Sequence, residues 1–239
     1  MLAAHSLKYS RRLLTIPQTL RPIATMSRHL ANPALFICDI QDKFRNAIHE
    51  FPKVVSTSQK MIKAAKLLNI PIYITTQNSA KLGPTVQELT QLLPENVVET
   101  DKTAFSMMVP TVSEAVLRQS KPETGGPQAP LEVLIVGIET HICVTQTTLD
   151  LLSMGHKVYI LQDGVSSCNA GERGVALRRL QSEGAVVTTS ESVLFELMGD
   201  AGRSLFKEFT ALIKEFKKET SLAVEVFCGG ADGGGGSKL

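Results

Sequence analysis

The sequence predicts an α/β fold, a mostly parallel sheet with helices on both faces, and three observations carry that prediction. Short, β-branched apolar runs alternate along the chain with stretches of helical periodicity, the pattern of units in which each crossover helix covers the sheet. The runs are almost continuously apolar, as strands buried on both faces must be. The turn-rich joins between them are too short to separate domains, so the 239 residues read as one core with extensions.

The first strand is ALFICD at 34–39. A helix over 52–68 follows, with Val54, Val55, Met61, Ile62, Ala65 and Leu68 at helical spacing and Pro52 in the first turn, where a missing N–H costs nothing. PIYITT at 71–76 is the second strand, a shorter one falls around 96–99, and a helix is expected near 112–118. KPETGGPQAP at 121–130 is a turn-rich loop. VLIVGI at 133–138, KVYILQ at 157–162 and AVVTTS at 185–190 complete six strands, interleaved with helices near 143–154, 170–183 and 192–197. The stretch 203–218 is amphipathic, with Leu205, Phe206, Phe209, Leu212, Ile213 and Phe216 on one stripe that should pack on the sheet or on a partner subunit.

Hydrophobic residues make up 43% of the chain and charged residues 20%, enough apolar surface for a real interior. No apolar run approaches the ~18–20 residues that a membrane-spanning helix needs, so no membrane partner is expected. The net charge of +2 conceals an asymmetry, because Lys8, Arg11, Arg12, Arg21 and Arg28 have no acidic neighbour before Asp39. Setting those five aside leaves 20 basic against 23 acidic side chains, a mildly acidic body that gives no electrostatic footprint for nucleic acid. Cys38, Cys143, Cys168 and Cys228 form neither a CxxC pair nor a cluster with zinc spacing, and read as intracellular thiols of which at most one is reactive. No Gly-rich phosphate loop follows any strand.

Both ends read as addresses. Residues 1–30 are basic, hydroxyl-bearing and free of acids, which is mitochondrial transit-peptide composition, although an unstructured basic tail fits equally and Met26 offers an internal start, leaving a cytosolic form. Ser237, Lys238 and Leu239 form the SKL tripeptide read by the peroxisomal import receptor, after a flexible Gly-rich tether, and a chance match is the alternative. The expected organisation is an extension over 1–30, one domain over 31–218 and a tail over 219–239, with the peroxisomal matrix as the expected location of the shorter form.

In open α/β sheets ligands bind beyond the carboxyl ends of the strands. That rule selects Asp39 at the end of the first strand, Lys102 in a loop after the short strand, and Cys143 where a helix follows VLIVGI. A thiol at a helix N-terminus feels the partial positive charge of unpaired N–H groups, which favours thiolate, and those donors suit an oxyanion. Each residue has a blander alternative: a buried small hydrophobe for Cys143, an N-cap for Asp39, a surface side chain for Lys102. His141 stands two residues before Cys143, but catalytic bases usually come from elsewhere in a fold, and a pocket-wall role suits it better.

CDIQDKF at 38–44, DKTAFSM at 101–107 and GIETHICVTQTTLDLLSMGHKVYILQDGVSS at 137–167 together resemble isochorismatase-domain proteins of the cysteine hydrolase superfamily, over about 31–218. The resemblance implies a Rossmann-like three-layer α/β/α sandwich, often a homo-oligomer, acting on a small-molecule substrate. It implies an Asp-Lys-Cys triad that maps onto Asp39, Lys102 and Cys143, and a non-proline cis peptide at Ile138–Glu139. Gln77, Phe44, Glu139 and Thr140 are the substrate-binding candidates; core packing is the alternative for Phe44 and an exposed turn for Gln77. Nicotinamidases of the superfamily carry an Asp/His metal cluster after the second strand, whereas this chain has TTQNSAKLGPT at 75–85, so neither metal nor other cofactor is expected. The implied activity is a thiol-dependent amidase-like hydrolase, with a vinyl-ether-cleaving isochorismatase or a non-catalytic interaction protein as the alternatives.

Overall fold

A computed structural model describes residues 30–95, 97–121 and 128–229. The basic extension, Met26 and the SKL terminus lie outside the described residues. The chain builds a six-stranded sheet in which every neighbouring pair is parallel, in the order β3-β2-β1-β4-β5-β6. In chain order the elements are β1 (Pro33–Cys38), α1 (Phe51–Leu67), β2 (Ile72–Gln77), the short α2 (Ser79–Leu82) and α3 (Gln87–Thr90), β3 (Val98–Lys102) and α4 (Pro110–Ser120). They continue with β4 (Glu132–Ile138), α5 (Thr145–Ser153), β5 (Lys157–Ser166), α6 (Ala170–Ser182), β6 (Val186–Thr188), α7 (Ser190–Met198), α8 (Phe206–Glu215) and α9 (Lys217–Cys228).

The three layers follow from side-chain alternation in fully buried strands. Leu35, Ile37, Ile74, Leu134 and Val136 pack on one face with α1, α7, α8 and α9, while Ala34, Phe36, Cys38, Val133 and Ile135 pack on the other with α4, α5 and α6. The first residues of the domain are fastened to the sheet by the Glu132 carboxylate, which accepts from the backbone N–H of Ala31 at 2.5 Å and of Asn32 at 3.3 Å.

Two boundaries differ from the sequence reading. The amphipathic stretch is two helices that break at Phe216, and Phe209, Leu212 and Phe216 pack into the core on the sheet. The folded domain also runs past 218, because α9 continues to Cys228. Phe227 packs under the Arg173 guanidinium at 4.2 Å, and its carbonyl accepts from Gln162 Nε2 at 2.9 Å. Among the described residues no helix is long and apolar enough to cross a membrane.

The strand order reverses direction between β1 and β4, which opens a crevice at their carboxyl ends. Gly137 makes this close approach feasible: it pairs with Cys38, its φ is +123°, and an added Cβ would sit 2.1 Å from the Cys38 carbonyl oxygen. Gly137→Ala is therefore expected to cost about 2–3 kcal/mol or more, a fall in Tm of ~5–10 °C for a domain of this size. Thermal denaturation of purified protein checks it, and an unchanged Tm would contradict the packing described.

Candidate active site

The crevice gathers the three motifs. β1 ends at Cys38, and Asp39 then turns the chain out of the sheet at φ +52°, a left-handed conformation that Asp tolerates better than most residues. The Asp39 carboxylate is almost wholly buried (1% exposed), so it has to be satisfied by the protein. Thr75 Oγ1 donates to Oδ1 at 2.8 Å, the Lys102 ammonium donates to Oδ2 at 2.7 Å, and the Cys38 thiol approaches Oδ2 at 3.7 Å.

Lys102 is not in a loop but is the last residue of β3, and its side chain runs beneath the crevice with the ammonium fully buried. Four oxygens surround Nζ: Asp39 Oδ2 at 2.7 Å, Gln77 Oε1 at 2.7 Å, and the carbonyls of Ala104 and Phe105 at 3.2 Å each. Burial acts against the Lys102 charge, but the negative groups beside it outweigh that loss and the ammonium pKa is raised. Lysine here is a fixed cation that anchors Asp39, with no proton to spare for catalysis.

β4 ends at Ile138, and the Ile138–Glu139 peptide is cis, as the family resemblance implies. Cys143 then falls within a π-helical turn, Thr140–Val144, that precedes α5, so it does not open a helix as the sequence suggested. The N–H groups of Ile142 and Val144 both donate to the Glu139 carbonyl at 3.1 Å, which removes them as oxyanion donors. Thr147 Oγ1 donates to the Cys143 carbonyl at 2.7 Å and accepts from Met107 N–H at 2.9 Å, tying the turn that carries Cys143 to the DKTAFSM segment.

A pocket of about 170 Å³ opens in the crevice, lined by Asp39, Phe44, Gln77, Leu82, Phe105, Ile138, Glu139, Ile142 and Cys143. Of the sequence candidates, Cys143, Asp39, Phe44, Gln77 and Glu139 meet there. Phe44 is a wall residue, not core alone. The Gln77 amide is spoken for: Oε1 accepts from Lys102, and Nε2 donates to the Thr103 carbonyl at 2.8 Å, so it positions the lysine and offers little to a ligand. Thr140 is a correction. It is wholly buried and lies off the pocket lining, and its hydroxyl has no hydrogen-bond partner among the described residues.

Other contributors were not singled out from sequence. Gln41, fully buried, accepts from Gln77 N–H at 2.8 Å and donates to the carbonyls of Gln77 and Gly83 at 3.2 and 2.7 Å, stitching the loop after β1 to the end of β2. Leu82, Phe105 and Ile142 supply apolar wall. The only signal for them lay inside the quoted motifs. His141 points elsewhere, its Nδ1 3.0 Å from Ser167 Oγ, and Glu139 Oε2 accepts from Cys168 N–H at 2.8 Å, which fixes that wall. Among the described residues no three His, Cys, Asp or Glu side chains converge as a metal site would require.

The comparisons with known proteins agree with this fold. The secreted isochorismatase effector Isc1 of Phytophthora sojae is 43% identical over 186 residues, covering 77% of this chain and 85% of that protein. Human isochorismatase domain-containing protein 2 is 41% identical over 188 residues, covering 79% of this chain and 86% of that one. A solved structure titled as the MAR1 ribonuclease of Caenorhabditis elegans superposes with a TM-score of 0.71 at 39% identity, covering 78% of this chain and 91% of its own. The Isochorismatase domain model matches residues 33–192, which contain every pocket residue described above, and the chain belongs to this family of isochorismatase-like hydrolases.

Proposed function

We propose that the protein is a metal-independent cysteine hydrolase that cleaves a small amide or related acyl bond through Cys143, Asp39 and Lys102. The observation that carries this reading is the Asp39 carboxylate, buried, fixed by Thr75 and Lys102, and lining the same small pocket as the Cys143 thiol. A carboxylate held in this way by a permanent cation is a proton acceptor of defined position. Asp39 takes the Cys143 proton as sulfur attacks the carbonyl carbon, and the backbone N–H of Cys143 is assigned to the developing oxyanion. The C–N or C–O bond breaks as Asp39 returns that proton to the leaving group, and a thioester remains on Cys143. Asp39 then takes a proton from water, which attacks the thioester and frees the acid and the thiol.

The volume bears on the substrate. About 170 Å³ corresponds to roughly six waters at ~30 Å³ each, which suits a compact aliphatic acyl group against Phe44, Leu82, Phe105 and Ile142. Ribonuclease activity, after which the C. elegans protein is named, is a second activity to set against this pocket, and a nucleotide is larger than the pocket's volume. The deciding experiment incubates the protein with a panel of small amides and esters, and with a labelled RNA, followed by intact mass. The expected result is an acyl adduct mapped to Cys143, altered in Asp39→Asn. RNA cleavage by wild type without any adduct would overturn the proposal.

A further inference from the structure

Cys38 has no part in the proposed hydrolytic steps, yet it contacts Asp39 and is buried in the same cluster as Cys143. As the last residue of β1 it points to the sheet face covered by α4, α5 and α6, and it shares that core with Cys143. Its sulfur lies 3.7 Å from Asp39 Oδ2, and Asp39 in turn lines the same pocket as Cys143. The two sulfurs differ in access: Cys38 is sealed at 0% exposure, while Cys143 is 7% exposed and lines the pocket. Burial foremost, then the neighbouring Cys143 thiol and the charge of Asp39, push the Cys38 thiol well above its ordinary pKa. Cys168 is exposed beside Glu139 and Cys228 stands on α9, so neither belongs to this pair.

We propose that Cys38 and Cys143 form a reversible disulfide, with Cys143 the sulfur that a hydroperoxide oxidises and Cys38 the thiol that resolves it, so that oxidation closes the hydrolytic site and thiol reduction reopens it. The proposal rests on Cys143 being the reactive thiol of the pocket. In the first step Asp39 takes the Cys143 proton and the thiolate attacks the outer oxygen of the hydroperoxide. The O–O bond breaks, Asp39 returns that proton to the departing oxygen so that alcohol or water leaves, and Cys143 is oxidised to the sulfenic acid. In the second step Cys38 gives its proton to Asp39, the acceptor it already faces, and its sulfur attacks that of Cys143. The S–O bond breaks, hydroxide leaves and takes the proton from Asp39 as water, and the S–S bond closes. Two electrons pass to the peroxide oxygen, and an external dithiol returns them on reduction.

Such a bridge protects as well as silences. A sulfenic acid without a partner proceeds to sulfinic acid, which thiols do not reverse. A resolving thiol buried in the same cluster intercepts it without the loop movement that a distant partner would require.

The test uses the full chain treated with a small excess of hydrogen peroxide, then intact mass, non-reducing peptide mapping and alkylation of Cys143 before and after dithiothreitol. The expected wild-type product has lost two hydrogens, carries a Cys38–Cys143 linked peptide, resists alkylation at Cys143 and recovers nearly all of it on reduction. Cys38→Ser should instead gain oxygen on Cys143 and recover almost none; Cys38→Ala repeats the measurement should the serine variant fold poorly. The proposal fails if wild type gains oxygen as the variants do, or if Cys143 pairs with Cys168 or Cys228. Hydrolysis by Cys143→Ala reports separately on the proposed activity. Retained hydrolysis together with a wild-type disulfide sinks only the catalytic reading, and lost hydrolysis without a disulfide sinks only this one.

Discussion

Cys143→Ala is expected to lower kcat/KM by ~10³-fold or more on any amide or ester that the wild type turns over, the scale of losing a covalent nucleophile. The fold should survive, because the side chain is small, packs among aliphatic neighbours, and its backbone, not its sulfur, carries the bond to Thr147. Asp39→Asn should cost about 10²–10⁴-fold, since the isosteric amide keeps the place in the crevice but accepts no proton. Steady-state kinetics beside circular dichroism melts measure both effects. A Cys143→Ala enzyme within tenfold of wild type would remove the thiol from the mechanism.

Lys102→Met should act mainly on stability. The Asp39 carboxylate would remain buried with only Thr75 and a thiol beside it, and removing one partner of a buried ion pair typically costs ~3–5 kcal/mol. For a domain of this size that is a fall in Tm of roughly 6–20 °C. Asp39→Asn combined with Lys102→Met should recover part of the loss, because no charge is then stranded, and urea titration of the four proteins gives the coupling. The pH dependence has a defined sign. The folded Lys102 pKa is raised above the unfolded value near ~10.4, so the pair's contribution is complete below that range. It is lost only as pH climbs through the folded value. The gap between wild type and Lys102→Met should thus stay level from neutrality to mildly alkaline pH and narrow only beyond it. A gap that closed near neutrality would show that the ammonium is not the anchor.

Much of the architecture was readable because parallel strands buried on both faces leave an unmistakable record: LFIC, YIT and LIV admit no solvent-facing alternation. Asp39, Lys102 and Cys143 were readable by place, since each stands at the carboxyl end of a strand or just beyond it. Function came from the company of three motifs. What escaped was non-local. Nothing in the composition of 75–85 tells that the Gln77 amide turns inward to hold Lys102, or that Gln41 fastens this segment from across the crevice. The π-helical turn escaped because THICV has the pattern of an ordinary first helical turn, while the chain enters it from a cis peptide. The break at Phe216 escaped because one apolar stripe fits a single long helix as well as two that share a core.

The bond pair centred on Thr147 has a consequence for how specificity can change. One hydroxyl holds the Cys143 carbonyl and the Met107 amide together, and the Phe105 carbonyl is held in turn by Lys102. The wall that carries the Phe105 ring and the turn that carries the Cys143 sulfur are therefore held in one frame. Ring 105, with Leu82 and Phe44 opposite the turn, can be traded for smaller or larger side chains as a jeweller changes a collet, resizing what fits while the distance from anchor to sulfur stays as it was.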